Sequence, residues 1–379
     1  MDAEASANHL VIQRPASKNL VVIFSGTGKG NGRFDFWKVA KSLESNVILL
    51  NDDRNGWYQD GVRSLGGSIE GTVSHLRAWS DRLGCKRIVT AGTSMGGYGA
   101  ILFGTALEAD VLSFGVDTVL KRRHSRSEKM MPDDVAVRVP DLRPHIARSA
   151  SKITCYVGEA DALDMIGAAH ISSLSQVKIH TLRGVDHAGA RHIQRVSDLR
   201  RFMNSFANGT PLPKIRYQRK WGPGAKRLYL AYSALIERDW DEVDRMGRLV
   251  LRVSPHSEAA HYFIGRAALA QGRALEAVSH FSIALATAPH YEEAHLHLIT
   301  ALHKAKLPDQ AISVAEEFIS KWPKTARGHV YLSDAYWSAR FEKASIRAMR
   351  NALSLEAKEA WERKLQNRLS THHSTGDRT

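Results

Sequence analysis

The stretch Arg87-Ile88-Val89-Thr90-Ala91-Gly92-Thr93-Ser94-Met95-Gly96-Gly97-Tyr98-Gly99-Ala100-Ile101-Leu102-Phe103 decides the fold. It opens as an apolar run of strand length, and the residues from Gly97 onward read as a helix. Between them lies G-x-S-x-G, Gly92 to Gly96. A serine placed between a strand and a helix, with glycines two positions to either side, is the pattern of a nucleophile elbow. So sharp a turn strains the serine backbone, and the glycines relieve the clash that side chains would cause. Ser94 is therefore expected at a sheet edge, at the N-terminus of the following helix.

A serine hydroxyl needs a base, because its own pKa is far too high for it to act alone. Val177–Leu182 alternates as a half-buried strand, and Arg183–Gly189 follows. His187 then lies in a loop before a helix expected over residues 190–207. Ile153–Gly158 reads as the preceding strand, with Asp161 just after it. Asp161 is the first choice for the carboxylate that orients His187 and stabilises its imidazolium. It would also suit a helix N-cap. Asp164 is the second choice, about one helical turn later, and Asp117, after the strand Val111–Val116, the third. His180 lies within a strand and His170 on a helix or the surface; both read as structural.

Acyl chemistry also needs donors aimed at a developing oxyanion. One is the Met95 N–H. The other is expected from Gly26 or Thr27, where the apolar strand Leu20–Phe24 runs into Ser25-Gly26-Thr27-Gly28-Lys29-Gly30-Asn31-Gly32. A dinucleotide site fails on spacing, since Asn31 and Arg33 stand where the third glycine belongs. A P-loop fails too, because Gly30 follows Lys29. The strand Asn46–Leu50 delivers Asn51–Tyr58 to the same edge. Asn55, Trp57 and Tyr58 there would suit a sugar or other polar acceptor; equally, Trp57 and Tyr58 would pack the next helix.

Taken together, Leu20–Asn31, Gly92–Gly97, Asp161 and His187 resemble the α/β-hydrolase fold, over about residues 8–208. That resemblance implies a doubly wound, mostly parallel sheet. It also implies esterase, thioesterase, peptidase or acyltransferase chemistry with no metal and no cofactor. More narrowly, Phe24–Gly28 and Asn55–Tyr58 resemble small bacterial hydrolase-like proteins of surface-polysaccharide loci, some of them sugar O-acetyltransferases. The lipase H-G-G-G motif is missing, and Lys121–Ala150 is the one candidate cap.

The second half repeats. Prolines at 255, 289 and 323 are spaced by 34 residues, the tetratricopeptide period. Repeats fall at 224–257, 258–291, 292–325 and 326–359, with a polar closing helix over 357–369. The second repeat resembles the family best, through Gly265, Ala277, Phe281, Ala284 and Pro289. The third keeps Leu298, Ala311 and Pro323, and the fourth Leu332, Tyr336 and Ala352. The first keeps Leu230, Ala231 and Pro255. An all-α repeat domain over 224–369 is expected, able to hold a protein or peptide in its groove. His261, His295 and His329 recur at one repeat position. Equivalent residues of successive repeats lie a helix pair apart, so a shared metal is excluded and packing expected.

The 379 residues call for two domains, joined by a basic linker over 209–223 whose prolines end the preceding helix. Lys and Arg number 53 against 39 Asp and Glu, a formal charge of +14, which suits a polyanionic partner. The cysteines, Cys85 and Cys155, read as free thiols. Met1–Ala5 carries no leader pattern. No apolar stretch is long enough to span a membrane, and a cytoplasmic location is expected. The function expected is serine-dependent acyl transfer, as an ester hydrolase on a small acyl ester or acylated carbohydrate. The alternatives are an O-acetyltransferase of a bacterial surface polysaccharide and a non-catalytic, repeat-based interaction protein.

Overall fold

A computed structural model of the chain describes residues 5–187, 189–216 and 218–376, with side chains through residue 371. Residues 1–4, most of the stretch read for a leader, lie outside the described residues. The chain divides into two compact units, Met1–Ile236 and Glu237–Thr379.

The first unit is built on an eight-stranded mixed sheet. Its strands are β1 (His9–Ile12), β2 (Asn19–Phe24), β3 (Asn46–Leu50), β4 (Arg87–Thr93), β5 (Asp110–Phe114), β6 (Ile153–Gly158), β7 (Val177–Leu182) and β8 (Gln218–Lys220). Their order across the sheet is β1-β3-β2-β4-β5-β6-β7-β8. β2 to β7 pair in parallel, and β1 and β8 close the two edges antiparallel. Continuous apolar runs such as Leu20–Phe24 suit the interior because helices cover both faces. The helices of this unit are α1 (Trp37–Ser42), α2 (Ile69–Arg82), α3 (Met95–Leu107), α4 (Arg126–Met130), α5 (Arg143–Arg148), α6 (Ala162–Ile171), α7 (Gly189–Val196), α8 (Leu199–Ala207) and α9 (Pro223–Glu237).

Alternate residues of each strand serve the two faces. Val21, Ile23, Val47, Val89, Leu112 and Phe114 form one buried cluster with Ala40 and with Phe202, Met203 and Phe206. On the opposite face Phe24 stacks on Phe103 at 5.2 Å, and the Thr90 hydroxyl donates to Ala100 O at 2.7 Å. Each large apolar side chain buried this way is worth roughly 1.5–3 kcal/mol. The register sets Phe24 beside Gly92 and Thr93 beside Phe114, so the carboxyl ends of β2, β4 and β5 form one edge.

The second unit is a run of antiparallel helices: α10 (Trp240–Val253), α11 (Glu258–Ala270), α12 (Ala274–Thr287), α13 (Glu292–Lys304), α14 (Pro308–Lys321), α15 (Ala326–Ser338), α16 (Glu342–Leu355) and α17 (Glu359–Gly376). Hairpins α11–α12, α13–α14 and α15–α16 fill the repeats read at 258–291, 292–325 and 326–359. Small residues sit where aromatic rings arrive. A Cβ on Gly265 would lie 2.8 Å from the Phe281 ring. The recurrent histidines fasten loops: His261 and His329 each bond a proline carbonyl, Pro255 O and Pro323 O, at 3.2 Å. His295 bonds Tyr291 O at 3.1 Å.

Three boundaries differ from the sequence reading. The basic linker expected over 209–223 contains β8, which pairs with β7 from His180 to Leu182. Three polar residues carry no alternation to reveal a strand; the open edge of β7 recruits them. The helix α9, assigned above to the first repeat, lies almost wholly in the first unit, where Tyr232 OH donates to Glu159 O. The single helix expected over 190–207 is two, because Asp198 caps α8 by accepting from Arg201 N–H at 3.1 Å.

A chain ended after Gly209 would therefore lack β8 and α9, whereas one ended after Arg238 retains both. The shorter chain is expected to melt several degrees lower by circular dichroism. Equal melting temperatures would return the boundary to the proline segment.

Candidate functional site

Ser94 joins β4 to α3 with φ 57° and ψ −123°, a region that residues with a side chain rarely enter. Its N–H donates to both Phe114 O and Gly115 O, each at 3.0 Å. The glycines of the motif exist for close approach. A Cβ on Gly96 would stand 2.0 Å from Phe24 O, and one on Gly92 2.0 Å from Gly96 O.

The histidine, from the loop after β7, lies against the same end of β5. His187 Nδ1 lies 2.7 Å from Asp164 Oδ1. The pair rests on Gly115, where a Cβ would come 2.8 Å from Nδ1 and 2.7 Å from Asp164 Oδ2. Gly115 thus ties Ser94 N–H on one side and floors the His187–Asp164 pair on the other. Nδ1–H directed at Asp164 leaves Nε2 as the acceptor nitrogen, and Nε2 has no hydrogen-bond partner among the described residues. Ser94 and His187 line one cavity of about 580 Å³.

The first-choice carboxylate, Asp161, does not take the histidine hydrogen bond. Asp161 is the N-cap of α6, accepting from Asp164 N–H at 2.8 Å. It took the N-cap role that its sequence also suited. Its neighbour one turn on, with 1% of its side chain exposed, reaches Nδ1 instead. Asp117, the third choice, accepts from the Ser127 N–H and hydroxyl.

Sequence reasoning missed Arg126. It comes from α4, inside the segment taken for a cap, and its guanidinium lies 2.5 Å from Asp161 Oδ2 and 3.2 Å from Asp164 Oδ1. Nothing in the sequence around Arg126 sets it apart from a surface arginine. Burial pushes the Asp164 carboxyl up, opposed by His187 and Arg126. Burial likewise opposes ionised Asp161, but Arg126 and His187 hold it below the usual carboxylate range. Desolvation opposes protonation of His187, yet Asp164 outweighs it and holds the imidazole above its ordinary value. Arg126 acts against that rise. One ligand atom from each of Asp161, Asp164 and His187 lies within 4.8 Å of the others, a spacing a metal could use. Arg126 already supplies positive charge to both carboxylates.

The loop residues fare differently from one another. Gly26 lies against the serine, a Cβ there falling 3.6 Å from Ser94 Cβ, but its N–H is donated to Asp35 Oδ2 at 2.8 Å. Asp35 also pairs with Lys29 at 2.9 Å. Thr27 lines the cavity, and Met95 opens α3 directly after the serine. Of the residues expected to hold a sugar, Trp57 and Tyr58 are fully buried. Tyr58 packs its ring edge on Phe24 at 5.2 Å and donates its hydroxyl to Ser25 O at 2.8 Å. Asn55 Oδ1 accepts from Gly28 N–H at 2.9 Å and so braces the glycine loop. None of the three lines the cavity at Ser94. His180 stacks on Tyr156 at 4.9 Å, and His170 bonds Asp141 at 2.8 Å.

The Tetratricopeptide repeat family matches residues 268–329, wholly within the second unit. Among solved structures the chain is similar to MamA, residues 41 to the end, from Desulfovibrio magneticus RS-1. Identity there is 23%, covering 40% of this chain and 87% of that one, with a TM-score of 0.38. A thermophilic tetratricopeptide-repeat protein of Thermus thermophilus is 18% identical over 39% of this chain and 82% of its own, with a TM-score of 0.35. YrrB, a repeat protein with an unusual peptide-binding site, is 12% identical over 38% of this chain and 75% of its own, with a TM-score of 0.36. No curated protein matches. The C-terminal half of the chain carries tetratricopeptide-type repeats. No helix among the described residues is long and apolar enough to cross a membrane.

The charge arrangement fixes the sign of three titration shifts. Asp164→Asn removes the main charge favouring imidazolium, so the His187 midpoint falls. Arg126→Gln removes a positive neighbour, so it rises. Asp161→Asn lowers it less than Asp164→Asn. Imidazole resonances followed by NMR across pH 4–9 read all three, and an unmoved midpoint in Asp164→Asn would break the assignment of the pair.

Proposed function

We propose that the first unit is a serine-dependent acyl-transfer enzyme of α/β-hydrolase type, acting as an ester hydrolase. The observation that carries this reading is the strained Ser94, sharing a cavity and the Gly115 support with a His187–Asp164 pair. The mostly parallel sheet, with the serine after β4, the acid after β6 and the histidine after β7, is consistent with it. Ser94 Oγ attacks the ester carbonyl while His187 Nε2 takes its proton. Asp164 holds the imidazole in the required tautomer and faces the imidazolium that forms. Arg126 keeps the paired carboxylates from over-stabilising that cation. The Met95 and Thr27 N–H groups are the donors for the oxyanion, since Gly26 N–H is engaged. His187 then returns the proton to the leaving group, and water takes the acyl group. A sugar hydroxyl in place of water would make the same machinery an O-acetyltransferase.

The repeat unit is assigned a protein or peptide partner, from its family match. That match also favours a second reading, in which the chain is an interaction protein and the first unit a scaffold. The two readings part at one measurement. A fluorophosphonate probe should label Ser94, and Ser94→Ala should abolish labelling and lower ester turnover about 10⁴-fold or more. A folded wild-type chain whose Ser94 stays unlabelled would leave the interaction reading alone.

The pH dependence follows from the raised His187. Nε2 acts as a base only when unprotonated, so turnover climbs as pH rises through a midpoint above the ordinary value of 6.5. Arg126→Gln should move that limb to still higher pH. A limb left in place by Arg126→Gln would remove Arg126 from the charge balance of the site.

A further inference from the structure

The wall of the Ser94 cavity is chemically uneven. Phe36 and Val39, from the connection between β2 and β3, and Ala190 and Leu199, from α7 and α8, make part of it apolar. Two cations, Lys29 and Arg191, also line it. Lys29 is committed, lying 2.9 Å from Asp35, which in turn holds Gly26 N–H. Arg191 stands four residues after His187, in the first turn of α7, and is exposed. Among the described residues its guanidinium has no ion-pair partner. Arg126, the guanidinium behind His187, is held by Asp161 and Asp164. Asp186, exposed on the loop before His187, also lines the cavity.

We propose that the Ser94 cavity takes an ester carrying an anionic group, which Arg191 recognises. The inference rests on the acyl-transfer reading for the word ester, and on the cavity alone for the anion. The apolar wall suits the short chain between the reacting carbonyl and the anion, while Gln194, one turn after Ala190, adds a donor beside Arg191. A guanidinium with five donors and no acceptor is the group that carboxylate and phosphate match in shape and charge. An exposed pair of this kind is worth up to about fivefold in affinity, and less at high salt.

The test compares three activated esters of similar length on the full chain: 4-nitrophenyl butyrate, mono-4-nitrophenyl glutarate and 4-nitrophenyl 4-phosphonobutyrate. At low salt kcat/KM is expected to be up to about fivefold higher for at least one anionic ester than for the neutral one. Whichever anionic ester is faster tells a carboxylate substrate from a phosphate-type one. Arg191→Gln should bring that ratio close to one, and Arg191→Lys should keep part of it. Binding of glutarate against the neutral butyramide, by calorimetry on wild type and Arg191→Gln, needs no turnover. Turnover of all three esters at equal rates, or a preference that survives Arg191→Gln, overturns the anion site and leaves the acyl-transfer reading standing. No turnover of any ester, with Arg191-dependent glutarate binding, keeps the anion site and overturns the acyl-transfer reading. Neither turnover nor binding overturns both.

Discussion

The backbone of Ser94 is the constraint on which the first unit depends. Its φ of 57° and ψ of −123° cost of order 1–3 kcal/mol, and two carbonyls of the β5 edge, Phe114 O and Gly115 O, hold it there. The turn forces α3 to begin against the end of β2, so closely that Gly96 cannot carry a side chain. That contact positions a helix buried on nearly every side, from Met95 to Thr105. With α3 in place, the carboxyl ends of β2, β4 and β5 share one rim. The loops after β6 and β7 then bring their carboxylates and histidine to the same rim.

The charges at that rim balance one another. Two carboxylates and an imidazole come within 4.8 Å, an arrangement that would be strongly unfavourable alone, because buried like charges repel and lose hydration. Arg126 makes it tenable by lying against both carboxylates. It also works against the rise that the two acids impose on His187. The segment between β5 and β6 therefore contributes to the electrostatics of the site, whatever covering role it has.

The repeat unit obeys a simpler rule. Glycine sits where a packed helix delivers a ring, within a hairpin at Gly265 with Phe281 and between successive hairpins at Gly328 with Phe318. Recurrent histidines close loops onto carbonyls rather than gathering around an ion, because equivalent positions are kept apart by the helix pair between them.

Residue order alone determined the sharp turn at Ser94, six of the eight strands, the 34-residue period and the place of His187 in the loop after β7. Those features are local: alternation, apolar runs and glycine spacing act through neighbours in the chain. Tertiary structure decided the rest. Asp161 and Asp164 differ by three residues, and only the path of α6 shows that one caps the helix while the other meets His187. Trp57 and Tyr58 suit a sugar platform and helix packing equally in sequence; in the fold, with left-handed backbone at Asn55, Trp57 and Tyr58, both rings are buried. The Gln218–Lys220 strand exists because β7 has an open edge, and α9 joins the first unit through Tyr232. Arg126 carries no local mark at all. It lies 35 and 38 residues from the carboxylates it joins, and charge pairing across such distances depends on where the folded chain places both ends.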